Sequence, residues 1–318
     1  RNKRSSLNKE FRKTIINNIN ESDFKWNSII QFDKNIPNDL KKKIEIAIKN
    51  STLIRESIFI FSNGSKILLD DISEEGIWCT LIGQGHGKMI VRILVQLNDN
   101  RAFNFVININ DNLDKSQFKR ETNWLISIGA STTNQKLVED FGSIWEKNEI
   151  FSEEYIPGET VLMYLERNQT EIASEIYPDR WQMRWLHFIW NGIAAYLEFW
   201  KNSGQTQMIL DASTRNVIIP EYDYYTGTRL ISISERRKAD NINDVIITLY
   251  KKFIIDTEKQ FPGLKKMAEW EIIFTIVLEV FGTKKGTRLL KNIKKRDKAT
   301  GLNKNRISLF LKDIDEFG

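Results

Sequence analysis

The chain of 318 residues contains one cysteine, two histidines and five prolines. A lone thiol, Cys79, cannot close an intramolecular disulfide and leaves no cysteine-based zinc site, so a reducing, cytoplasmic setting is expected. His86 and His187 are too few for a histidine metal cluster. No run reaches the roughly 20 uninterrupted apolar residues of a membrane-spanning helix. The richest stretch, 181–200, is broken by Arg184, His187, Asn191 and Glu198. The opening RNKRSSLNKEFRK lacks the apolar core of a secretory signal. Neither a nucleophile-elbow serine motif nor an HExxH zinc motif occurs.

What is present describes a globular chain long enough for two core-forming units. Hydrophobic residues make up 41% and charged residues 28%, far from the composition of a disordered protein. The net charge is +5, from 47 Lys and Arg against 42 Asp and Glu. The excess concentrates in segment 284–306, whose ten basic residues run from Lys284 to Arg306 against the single acid Asp297. Such a run fits a phosphate backbone or an acidic protein partner. It also fits a solvated helix face, and it lacks the interleaved aromatics of a single-strand binder.

The pattern along the chain changes twice. The first fifty residues read as polar helices, with 7–20 one candidate and Leu40, Ile44 and Ile48 a helical stripe after Asn38. From 57 to 109, short β-branched and aromatic runs (SIFIF, KILLDDI, GIWCTLI, KMIVRILVQLN, RAFNFVINI) alternate with the turn signals SNGS, SEEG, GQGHG and NDN. Connections so short predict antiparallel hairpins rather than parallel crossovers. A helix is expected over 116–128 and strand-like sequence over 149–165. After Pro178 the chain turns helical: Trp181, Trp185, Ile189, Ile193, Tyr196 and Trp200 share a face, and two more helices are expected over 242–256 and 264–281. The fold class is therefore α+β. A helical extension (1–50), a β-rich lobe (51–168) and a helical lobe with a basic end (169–318) follow in order.

Two motifs carry chemistry. In GQGHG, Gly83, Gly85 and Gly87 form a tight strand-to-strand loop that lets backbone approach a phosphate. With no helix following, it is neither a Walker A loop nor a dinucleotide-binding turn. A mobile hairpin tip would look the same. In ILDASTRNVIIP (209–220), Asp211 and Asn216 stand five residues apart, between a long apolar helix and two short strands. A turn carrying an Asp and an Asn is the plainer alternative.

The order of these features, from about 57 to 281, resembles the protein-kinase-like superfamily. The resemblance implies a two-lobed fold with an antiparallel β-rich N-lobe and a mainly helical C-lobe, binding ATP with Mg²⁺ and transferring a phosphoryl or related nucleotidyl group. It implies that Gly83, Gly85 and Gly87 cover phosphates, that Glu121 positions a lysine, that Asp211 is the base and that Asn216 holds metal. Three departures accompany it. The third strand, AFNFVINI, has no lysine, leaving Lys88 or Arg92 on the preceding strand as substitutes. Ser234 occupies the place of the metal aspartate, and Asp223 in the intervening turn is the nearest replacement. Ile209 and Leu210 stand where the family has His-Arg. The alternative is a catalytically inactive kinase-like module that regulates or docks a protein partner. A further one is a nucleic-acid-associated protein using the basic segment.

Overall fold

The computed structural model describes residues 29–49, 54, 57–58, 67–85, 87–111, 114–117, 150–174, 177–219, 228–231, 236–264, 270–293, 302 and 304–317. The fold is mixed α and β, with a five-stranded sheet and nine helices among the described residues. The chain divides into two compact units; among the described residues, the first ends at Tyr155 and the second begins at Ile156.

The first unit is built on the sheet β1 (Ile30–Phe32), β2 (Ile72–Gly85), β3 (Lys88–Leu97), β4 (Ala102–Asn110) and β5 (Ile150–Glu154), lying in that order. β2 to β5 pair antiparallel, as short loops between β-branched runs require. β1 joins β2 in parallel, with Ile30 opposite Ile77 and Phe32 opposite Cys79. Alternation then sorts the side chains. Met89, Val91, Ile93 and Val95 of β3 join Phe105, Ile107 and Ile109 of β4 in one apolar core. Helix α1 (Asn38–Lys49) contributes Leu40, Ile44 and Ile48 to that same core, although the first fifty residues read as an extension. Each such burial is worth roughly 1.5–3 kcal/mol.

Two local expectations change. The SEEG stretch is not a turn between strands: it stays inside β2 as an irregularity, where the register passes from Ile72 opposite Leu97 to Ile77 opposite Val95 and Glu75 takes φ 55°. Ser57 and Ile58, expected in a strand, are helical. The expected helix at 7–20 lies outside the described residues, as does all of 118–149.

The second unit opens with β6 (Glu159–Thr160) and turns at once into helix α2 (Val161–Arg167), where continued strand was expected. An apolar run such as VLMYL fits either state. Thr160 decides it by capping: its Oγ1 accepts from the Met163 N–H at 3.2 Å, satisfying a donor that helix geometry leaves free. After α3 (Gln169–Ser174) comes α4 (Pro178–Asn202), with proline at its start where no N–H is needed.

α4 is the axis of this unit's core. Trp185 stacks on Phe253, centroids 6.0 Å apart and planes 2° from parallel. Gly192 makes room for that ring, since a Cβ there would sit 2.3 Å from Phe253 Cζ. Phe253 lies in a π-helical turn (Tyr250–Ile255) between α5 (Ile242–Leu249) and α6 (Asp256–Gln260). Helices α7 (Trp270–Phe281), α8 (Thr283–Lys291) and α9 (Lys304–Phe317) complete the unit. Short strands β7 (Gln207–Ile209), β8 (Val217–Ile219), β9 (Arg229–Leu230) and β10 (Arg236–Lys238) form two small sheets, β10–β7 and β6–β8–β9.

Candidate functional site

In the first unit the glycine loop is the β2–β3 hairpin. A register shift between Leu81 and Gly83 kinks β2 before its end, and Gly85 then pairs with Lys88. Gly87 sits at φ 72°, a conformation that a Cβ disfavours. Its carbonyl accepts from the Asp111 N–H at 2.8 Å. His86 lies outside the described residues.

Lys88 opens β3 directly opposite Asn110, and is only 5% exposed. Because its neighbour Met89 faces the apolar core, Lys88 belongs to the opposite face of the sheet. Arg92, Asn104, Asn108, Asn110 and Glu153 share that face by the same alternation and register. Arg92 is committed locally. Its Nε donates to Asn104 Oδ1 at 2.9 Å, and its guanidinium lies 4.5 Å from the Tyr155 ring centre. Of the two cations proposed as substitutes, Lys88 is the one beside the glycine hairpin.

Burial pushes the Glu153 carboxyl up to about 7, while the Asn108 amide and the Lys88 charge pull it the other way. Asn108 is 5% exposed, and its Nδ2 has no hydrogen-bond partner. Glu121, expected to position a lysine, lies outside the described residues.

In the second unit, the 211–216 loop joins β7 to β8. Its conformation is fixed from within and from below. Asn216 Nδ2 donates to the Asp211 carbonyl at 2.8 Å, closing the loop across the five-residue spacing. Tyr196, on α4, donates its hydroxyl to the Ser213 carbonyl at 2.9 Å and lies 3.4 Å from the Asp211 carbonyl. Burial, and then the nearby Asp211 charge, raise that hydroxyl well above the ordinary tyrosine range, so it stays a donor. Thr214 meets Thr257 of α6 at 3.3 Å, and the Ile231 N–H donates to the Asn216 carbonyl at 2.9 Å. Asn216 and Thr214 are buried, Asp211 is partly buried and Arg215 is exposed. The Ser213 hydroxyl is buried with no partner.

The loop thus presents one carboxylate on an immobilised backbone, beside an amide whose nitrogen is already used. The Asn216 Oδ1 end is the one with lone pairs to offer a cation. Among the described residues, no group of three His, Cys, Asp or Glu could hold a metal ion. Mg²⁺ commonly takes only one or two protein ligands, with phosphates and waters supplying the rest. Asp211 and Asn216 fit that partial role; Asp223 and Ser234 lie outside the described residues.

Other chemistry recedes. Burial, with a smaller contribution from Glu45, pushes the Cys79 thiol up to about 12, which removes the thiolate needed of a nucleophile. In the basic segment, Arg306 grips Glu271 of α7 with two nitrogens, at 2.6 and 2.9 Å, and Lys285 sits 5.5 Å from the Phe281 ring centre. Residues 294–301 lie outside the described residues. No helix among the described residues is long and apolar enough to cross a membrane.

Asn108, Asn110 and Glu153 were not singled out from sequence. The signal was available in FNFVININ, where Asn104, Asn108 and Asn110 fall at even spacing and so on one face of a strand. No protein-family model matches the chain, and no curated protein is similar to it in sequence.

Proposed function

We propose that the protein is a divergent phosphotransferase of the kinase-like type, with 211–216 as its catalytic loop. The observation that carries this is the 2.8 Å bond from the Asn216 amide to the Asp211 carbonyl. It closes the loop that carries the partly buried Asp211 and leaves the Asn216 Oδ1 end as the one with lone pairs to offer a cation, the pairing of residue types that phosphoryl transfer uses. Asp211 would orient the acceptor hydroxyl and take its proton. Asn216 Oδ1 would contribute to holding Mg²⁺, which supplies charge neutralisation on the transferred phosphate. Gly83, Gly85 and Gly87, with Lys88, would receive the phosphates of ATP.

Asp211→Asn is the test, because it keeps the side-chain shape and removes only the base. ATP turnover should fall about 10²–10⁴-fold with nucleotide binding retained. Unchanged turnover would sink the assignment. A second reading, a catalytically silent kinase-like module, draws on the way Tyr196 and Asn216 spend their donors on the loop's own carbonyls. Under that reading ATP binds, if at all, without dependence on Mg²⁺ or on Asp211, as calorimetry would report.

A further inference from the structure

The basic segment 284–306 borders a groove that a count of its cations does not describe. α8 ends at Lys291, and the Ile293 N–H ties the chain back to the Leu290 carbonyl at 3.1 Å. α9 begins at Lys304 and packs on α8. On α9, Ile307 and Leu311 stand four residues apart and so on one face. Lys304, Ser308 and Lys312 repeat at the same spacing in a row beside them. Between the two helices lies a half-open groove of about 330 Å³.

Floor and rim differ in kind. Leu290, Ile293, Ile307 and Leu311 line the groove and are buried, so a group that enters meets apolar atoms. Lys291, Lys304, Ser308 and Lys312 line it as exposed residues. Among the described residues no acid lines the groove. Lys312 is already engaged within the fold, so the argument rests on Lys291 and Lys304, neither of which has an ion-pair partner among the described residues. Lysine stems add apolar wall while their ammonium ends stay in water.

These features select one class of ligand. The volume lies at the lower end of the roughly 300–1,000 Å³ of small-molecule sites, too little to seat a partner's helix about 10 Å across. An apolar floor gives a bare phosphate or a nucleic-acid backbone nothing to pair with. The rim offers charge-assisted hydrogen bonds that an anion takes and a neutral chain does not. The sequence joining the two helices supplies no such occupant, since 294–301 has Ala299 as its one apolar side chain.

We propose that the α8–α9 groove binds a soluble, medium-chain amphiphilic anion. Its carboxylate meets Lys291 and Lys304, and its acyl chain lies along Leu290, Ile293, Ile307 and Leu311. The site shares no residue with the 211–216 loop, so it stands whether or not that loop is catalytic.

Decanoate is the probe, added to the full chain near neutral pH and well below the concentration at which it forms micelles. Calorimetry should show saturable, one-to-one binding. With about twofold lost per methylene removed from a half-open groove, hexanoate should bind about tenfold more weakly. Decanol, which keeps the chain and loses the charge, should also bind about tenfold more weakly. Lys291→Glu combined with Lys304→Glu should weaken decanoate by about tenfold or more, and Ser308→Trp should abolish binding by filling the groove. All three positions are exposed, so the variants should melt as the wild type does, and the ligand series needs no variant at all. Binding that ignores chain length, survives the charge reversal, or is absent overturns the proposal. So does attachment to phosphatidylglycerol vesicles without binding of soluble decanoate, which gives the lysines to a membrane surface instead.

Discussion

The two polar constellations differ in how they use their hydrogen bonds. In the 211–216 loop, the Asn216 amide, the Tyr196 hydroxyl and the Ile231 N–H all end on carbonyls, Asp211, Ser213 and Asn216, of the loop itself. On the sheet face, the buried Asn108 keeps its Nδ2 without a hydrogen-bond partner, and desolvation raises the Glu153 carboxyl above the ordinary range. The first arrangement is completed by the fold and holds a shape. The second keeps a buried amide nitrogen without a hydrogen-bond partner. Removing a satisfied group therefore damages the protein, whereas removing an unsatisfied one relieves it.

The largest expected effect tests the completed side. Asn216→Ala leaves the Asp211 carbonyl without its closer donor and should destabilise the chain by about 1–3 kcal/mol in denaturant unfolding. Tyr196→Phe, which keeps the packing against Phe253 and removes only the hydroxyl, should cost about 1 kcal/mol. If both are neutral, the loop is not held by these bonds and the contrast collapses.

A smaller effect should appear in the pH dependence of stability. Glu153 is raised in the folded state, from an ordinary 4.5 to about 7, so between those values the folded chain binds more protons than the unfolded one. Stability from this group is complete below about pH 4.5 and is lost as pH rises through 7. Because the side chain is partly exposed, the expected loss is on the order of 1 kcal/mol. Melting temperatures of wild type and Glu153→Gln should diverge from pH 5 to pH 8, with the variant losing less. Parallel profiles would remove Glu153 from the buried cluster.

The smallest effect has the opposite sign and sharpens the comparison most. Asn108→Leu deletes a buried donor with no partner, so stability should be unchanged or rise by up to about 1 kcal/mol. A clear destabilisation would mean that Asn108 is already served within the fold.

Much of the sheet was legible because each strand is long enough to show its period. KMIVRILVQL and AFNFVINI alternate cleanly, and their short connections leave only antiparallel pairing. α4 was legible for the same reason, its apolar stripe from Trp181 to Trp200 repeating over about five turns. What escaped was short or ambiguous. β1 has three residues and no alternation to detect. VLMYL satisfies strand and helix alike until Thr160 is recognised as a cap. The SEEG stretch carries turn residues, yet long-range pairing to β3 carries β2 straight through it. At the site level, Asp211 and Asn216 were visible as a spacing, but the bond between them was not. Lys88 was visible as a cation near glycines. Its companions Asn108 and Glu153 were not, because their meeting depends on the register of three strands rather than on any local run.

β1 is also the thinnest part of the sheet, and its removal would change how the protein behaves in a crowd. It covers β2 only from Ile77 to Cys79, with the Asp33 N–H adding one more bond to the Cys79 carbonyl. Trp78 and Ile82 of the same strand are each about half exposed, at 48% and 49%. Truncation just before α1 would uncover backbone donors and acceptors next to exposed apolar side chains, the combination that recruits a foreign strand and seeds aggregation. Three residues of parallel pairing thus act as a guard on a fourteen-residue edge.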